Sequence, residues 1–124
     1  MMIAITADGT DLKSSLDPRF GRCPYFLLVD PETLECRATV NPGASAGGAA
    51  GIKAAQTLTG MGTKILITGQ CGPNAFRILE AAGMQIMQAP VASAGMVVEM
   101  YKRGELAPIN APGKDRQGMQ GRVR

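Results

Sequence analysis

The run Ile65-Leu66-Ile67-Thr68-Gly69-Gln70-Cys71-Gly72-Pro73-Asn74-Ala75-Phe76 changes character twice within twelve residues. Its first three residues are wholly apolar, as a short strand covered on both faces requires. Gly69 to Gly72 then form a glycine-bearing loop, and Pro73 stands where the first position of a helix tolerates a missing N–H. Phe76, Leu79 and Ala82 follow at helical spacing, and Gly83 stops the helix. A buried strand feeding a helix in this way is part of an α/β fold with parallel strands.

Working outward, the preceding helix spans about 47–60, with Ile52, Ala55 and Leu58 along one face and Gly60 and Gly62 at its end. Downstream, 84–88 reads as a strand and 93–103 as a helix closing on Lys102-Arg103-Gly104, where the helix dipole favours basic residues. Upstream lie three strands, near 2–7, 25–30 and 34–40. Asp30-Pro31-Glu32-Thr33 is a turn, so the second and third strands form a hairpin. The third strand alternates, with Leu34, Cys36, Ala38 and Val40 on one face, as a half-exposed edge strand does. A right-handed crossover from the third strand through the first helix sets the fourth strand beside the first. The expected architecture is a five-stranded mixed sheet of order 3-2-1-4-5 with helices on both faces, the three-layer arrangement of the ribonuclease H-like fold. One domain is expected over 1–107, followed by a basic, unstructured tail over 108–124.

This topology gathers the glycine-rich loops on one rim, at the carboxyl ends of the parallel strands, where open α/β sheets bind ligands. Asp17-Pro18-Arg19-Phe20-Gly21-Arg22-Cys23-Pro24-Tyr25-Phe26 enters the second strand there, and Gly69 to Asn74 leaves the fourth. Helix starts at Gly47-Gly48-Ala49-Ala50-Gly51, at Gly72-Pro73-Asn74 and at Ser93-Ala94-Gly95 point the same way. Unpaired N–H donors and partial positive charge at such termini, with Arg19 and Arg22 nearby, favour an anion. Cys23 and Cys71 add soft sulfur donors of the kind that suit iron-sulfur, copper or molybdenum-sulfur species, and both are candidate metal ligands. The candidate cofactor-binding set is Arg19, Phe20, Gly21, Arg22, Cys23, Gly47, Gly48, Gly51, Gly69, Cys71, Gly72 and Asn74. Against it stands the plainer account of glycines serving turns and buried cysteines filling space, which is the reading adopted for Cys36.

Composition removes several alternatives. The 124 residues contain no histidine, which excludes Ser-His and Cys-His dyads and the commonest metal ligand. Three cysteines at unrelated spacings form neither a disulfide framework nor a paired zinc motif, so reduced thiols and a cytoplasmic location are expected. The first helix offers no acid to join Asp8 in a two-metal nuclease site. The net charge of +3 resides in the tail, in Lys114, Arg116, Arg122 and Arg124 against Asp115, while residues 1–109 carry nine bases and nine acids. Nucleic acid is therefore not an expected partner. No apolar run approaches the ~20 residues of a membrane-spanning helix.

The motifs Arg19-Phe20-Gly21-Arg22-Cys23-Pro24-Tyr25-Phe26, Asn41-Pro42-Gly43 running into Gly47-Gly48-Ala49-Ala50-Gly51, and Gly72-Pro73-Asn74-Ala75-Phe76, in this element order, resemble the dinitrogenase iron-molybdenum cofactor biosynthesis family. The resemblance covers roughly residues 2–107 and implies a ribonuclease H-like fold, related to nitrogenase cofactor carriers and to a molybdenum-copper cluster protein. Histidines that some cofactor-carrying members look to use have no counterpart, since Arg22 stands at one of those places. The expected function is a non-enzymatic carrier for an anionic metal-sulfur cluster of Fe-Mo or Mo-Cu type. Its partners would be the cluster and iron-sulfur or nitrogenase-type assembly proteins. The alternatives are a metal-free interaction or regulatory module, and a small-anion or nucleotide-binding domain.

Overall fold

The computed structural model describes residues 2–45 and 47–111. The strands are β1 (Ile3–Ala7), β2 (Tyr25–Val29), β3 (Cys36–Val40), β4 (Ile65–Thr68), β5 (Gln85–Gln88) and β6 (Ala107–Pro108). The helices are α1 (Ala50–Thr59), α2 (Pro73–Ala81) and α3 (Ala94–Lys102). Single 3-10 turns at Phe20–Arg22, Pro42–Ser45 and Gly47–Ala49 shape the loops.

The six strands form one sheet of order β3-β2-β1-β4-β5-β6. β1 runs parallel to β4 and β4 to β5, whereas β2 is antiparallel to both β1 and β3. Period-two alternation splits the buried residues between two faces. Ala4, Phe26, Leu28, Leu66 and Ile86 face α1 and α2, meeting Ala54, Ala55, Leu58, Ala75, Phe76 and Leu79. Ile3, Ile5, Leu27, Val29, Ile65 and Ile67 face α3, meeting Ala94, Val97 and Val98. β1 is buried along its whole length because it lies centrally with helices on both sides. Small residues on α1 and α2 let the helices sit close together and close to the sheet.

Two expectations are corrected. The sheet has six strands, not five. Gly104, at φ 72°, reverses the chain after α3, Leu106 is buried, and Ala107–Pro108 pairs antiparallel with β5. A two-residue strand containing proline has no alternation by which to be recognised. The third strand starts at Cys36 and not at 34, because Leu34 has φ 65° and cannot continue the ladder. Cys36 packs against the α3-side core, whereas Ala38 and Val40 are exposed on this uncovered edge. The expected tail lies outside the described residues from 112 onward. Pro108 belongs to β6, and the Ile109 N–H donates to Ile86 O (2.7 Å).

Among the described residues, no helix is long and apolar enough to cross a membrane.

Candidate functional site

The two cysteine-bearing loops are hydrogen-bonded to each other. Gln70 N donates to Pro18 O (2.8 Å), Phe20 N donates to Gln70 O (3.4 Å), and Arg19 and Gln70 form a parallel bridge. The approach is close enough that a Cβ on Gly69 would lie 2.5 Å from Pro18 Cβ. Thr6, at the end of β1, anchors the same loop, donating from Oγ1 to Asp17 O (2.6 Å) and accepting Asp17 N at its own carbonyl (2.9 Å).

Between these loops and the starts of α1 and α2 lies a cavity of about 460 Å3. Arg19, Phe20, Gly21, Arg22, Gly51, Cys71, Gly72 and Asn74 line it, so eight of the twelve expected residues converge. Cys23, Gly47 and Gly69 do not line it. Ala50, Ile52, Gln70, Pro73 and Ala75 line it too, although they lie outside the expected set. Their signal is positional: Ala50, Ile52, Gln70 and Pro73 each adjoin an expected glycine or cysteine, and Ala75 follows the expected Asn74.

Both helices that open onto the cavity lack a side-chain cap. α1 starts after Ala49 and α2 after Gly72, and neither residue caps through its side chain. α3, which does not line the cavity, is capped conventionally, with Ser93 Oγ accepting from Met96 N (3.2 Å). Two helix starts thus present first-turn N–H groups and partial positive charge to one space. The cations differ in setting. Arg19 is held by Asp17, Nε to Oδ1 at 3.2 Å and Nη2 to Oδ2 at 3.1 Å, which raises the guanidinium pKa further above its ordinary value. Arg22 is exposed and has no acidic partner among the described residues.

The two thiols are buried. Cys71 lines the cavity, and burial pushes its pKa up to about 12. Cys23 lies behind Phe20, donating from Sγ to Phe20 O (3.1 Å), and burial followed by the charge of Asp17 raises it likewise to about 12. Asn41 holds this turn by donating from Nδ2 to Cys23 O (2.8 Å) and Gly21 O (3.2 Å), while its Oδ1 accepts from Gly43 N (2.9 Å). The Phe20 and Phe26 rings stack beneath it, with centroids 5.8 Å apart. Both sulfurs are therefore protonated near neutrality, and ligation of a metal by either would first require loss of that proton. Among the described residues, no three His, Cys, Asp or Glu side chains are placed together to hold a bare metal ion. The donor set present is one of N–H groups, guanidinium and glycine backbone, which fits a bulky anion.

The sequence matches the dinitrogenase iron-molybdenum cofactor family over residues 1–104. Among solved structures, the apo form of the orange protein from Desulfovibrio gigas is similar at a TM-score of 0.86 and 36% identity, over 91% of this chain and 96% of that one. A Thermotoga protein of the DUF35 family is similar at a TM-score of 0.79 and 30% identity, over 93% of this chain and 98% of that one. An uncharacterized protein of Methanocaldococcus jannaschii is 26% identical over 109 residues, covering 86% of this chain and 89% of its own.

Proposed function

We propose, since the chain belongs to the dinitrogenase iron-molybdenum cofactor family, that it binds and carries an anionic metal-sulfur cluster in cofactor assembly. The observation that carries this reading is the pair of uncapped helix starts, α1 and α2, facing one cavity beside Arg19 and Arg22. A cluster of Fe-Mo or Mo-Cu type with outward sulfides is an acceptor on every side, and N–H donors aimed inward suit it without a thiolate bond. Gly21, Gly51 and Gly72 let the backbone come near a bulky guest, and Cys71 is the sulfur closest to hand. With neither histidine nor a nucleophile–base pair at the cavity, the chain is read as a carrier and not a catalyst. The sheet order through β5, with helices on both faces, is read as ribonuclease H-like. The three free thiols suit a reducing compartment, and the reading assigns the protein to the cytoplasm.

The test is anaerobic loading with tetrathiomolybdate, alone and with copper or iron salts, followed by desalting, elemental analysis and an absorption spectrum. Stoichiometric retention with a sulfur-to-metal charge-transfer band is expected, and charge reversal by Arg22→Glu should abolish it. Protein that emerges colourless under every condition, or retention indifferent to Arg22→Glu, overturns the reading.

A second reading, a docking module for an iron-sulfur or nitrogenase-type assembly protein, is favoured by Val91 and Met96. Both are exposed, at 63% and 50%, around the start of α3 on the same rim. It predicts a metal-free protein that co-purifies with an assembly partner and loses it on Val91→Asp.

A further inference from the structure

We propose that Asp17 is a positioning residue for anion capture, whose buried carboxylate fixes the Arg19 guanidinium at the mouth of the cavity. The proposal deepens the carrier reading and rests on it.

The relevant contrast is between a carboxylate almost out of water and a cation in it. The Asp17 side chain is 6% exposed and its Arg19 partner 60%. Three donors converge on that carboxylate, and all come from Arg19: backbone N to Oδ1 at 2.9 Å, Nε to Oδ1 at 3.2 Å and Nη2 to Oδ2 at 3.1 Å. The backbone on either side is fixed as well. Asp17 exchanges hydrogen bonds with Thr6 through both its N–H and its carbonyl, while Pro18 O and Phe20 N are both bonded to Gln70. An exposed arginine ordinarily samples many rotamers, and holding it costs entropy at the moment of binding. Here the edge bearing Nε and one Nη2 hydrogen is already committed, which leaves both Nη1 hydrogens and the second Nη2 hydrogen for a ligand. Arg22, without such a partner among the described residues, supplies charge but no fixed direction.

Charge and geometry make opposite demands on Asp17. By charge alone, a carboxylate beside an anion site repels the ligand, and its removal tightens binding. By geometry it prepares the donor, and its removal loosens binding. A carboxylate kept this close to an anion cavity, at the desolvation cost of burial, is explained by the second effect.

The experiment is an anaerobic tetrathiomolybdate titration of the full chain as wild type, Asp17→Asn, Arg19→Lys and the double variant, at several salt concentrations. Asp17→Asn should weaken binding about tenfold although the protein gains positive charge, because the amide N–H₂ opposes the Nη2 donor. Arg19→Lys lies on the surface and keeps its charge and its fold, yet should weaken binding to a similar degree, since an ammonium cannot span both carboxylate oxygens. In the double variant the second change should add nothing further. Tighter binding by Asp17→Asn, unchanged binding by Arg19→Lys, or additivity of the two overturns the proposal. A readout free of ligand is exchange of the Arg19 Nε–H followed by NMR. It should be slow in the wild type and fast in Asp17→Asn, and fast exchange in the wild type overturns the proposal. Wild-type protein that takes up no tetrathiomolybdate overturns the carrier reading, and the Nε–H comparison then decides the positioning of Arg19 on its own.

Discussion

Gly21 lies against the backbone of Gly51, so that a Cβ on Gly21 would stand 2.8 Å from both N and Cα of Gly51. This contact seats the Arg19–Cys23 turn on the start of α1 and forms one wall of the cavity. Gly51 in turn faces Ala75 at ordinary distance, 3.5 Å from where its own Cβ would be. The two glycines should therefore respond differently to the same substitution. Gly21→Ala forces backbone apart and should destabilise by roughly 1–3 kcal/mol. Gly51→Ala replaces a flexible residue inside a helix without a clash, and should be neutral or stabilising by about 0.5–1 kcal/mol. Urea midpoints of the two variants against wild type check the pair, and equal effects would show that the close approach is not what Gly21 serves.

Asn41 is the buried clamp behind the same turn. Its Nδ2 serves the Gly21 and Cys23 carbonyls and its Oδ1 serves Gly43 N. Asn41→Ala leaves these backbone groups without partners in a site 2% exposed, and should cost about 2–4 kcal/mol. Asn41→Asp keeps the Gly43 contact but turns a donor into an acceptor facing two carbonyl oxygens. It should be destabilised more at pH 7 than at pH 4, where a protonated carboxyl can donate again. Chemical denaturation at the two pH values reads the difference.

Much of this arrangement was legible in the sequence, and for a physical reason. Ile65 to Ile67 had to be a buried strand and Pro73 had to begin a helix, so the chain order and a right-handed crossover placed β4 beside β1. The loops followed from topology, which is why Arg19 to Arg22 and Cys71 to Asn74 could be assigned to one rim. Illegible were features set by contact and not by pattern. Cys23 shares its motif with Arg22, but its thiol turns inward to Phe20 O, and no spacing rule distinguishes a sulfur that faces a cavity from one behind it. Gly47 and Gly48 resemble phosphate-loop glycines in sequence, yet they belong to a 3-10 turn, and Gly47 is not part of the cavity lining. β6 escaped because two residues make no period.

Leu34 closes the β2–β3 hairpin in the left-handed region, at φ 65°, with its side chain 43% exposed. The turn before it is well held, Asp30 Oδ1 accepting from Glu32 N (2.8 Å) and Thr33 N (3.3 Å), which lowers the Asp30 pKa. A branched residue is strained there by about 1 kcal/mol, and glycine is not. Leu34→Gly should raise stability by about 0.5–1 kcal/mol despite the lost apolar surface. Leu34→Val, with branching at Cβ, should lower it. A thermal melt of each variant checks the order.

The thiols make the protein sensitive to alkali in a direction that can be worked out. Cys23 and Cys71 sit at about 12 in the folded chain against an ordinary 9.0. Between those values the unfolded chain gives up these protons while the folded chain keeps them. Stability from this source is then complete below about pH 9 and falls as pH rises, by up to ~1.4 kcal/mol per pH unit per thiol. Cys71→Ala should make the decline shallower, and a slope between pH 9 and 11 unchanged by that substitution would show that other groups govern it. The same burial sets reactivity. At pH 8 a thiol reagent should modify Cys36, which is partly exposed, and leave Cys23 and Cys71 untouched until denaturant is added. Rapid modification of Cys71 in the native protein would instead mean that the cavity floor opens to solvent, and would return that sulfur to consideration as a direct metal ligand.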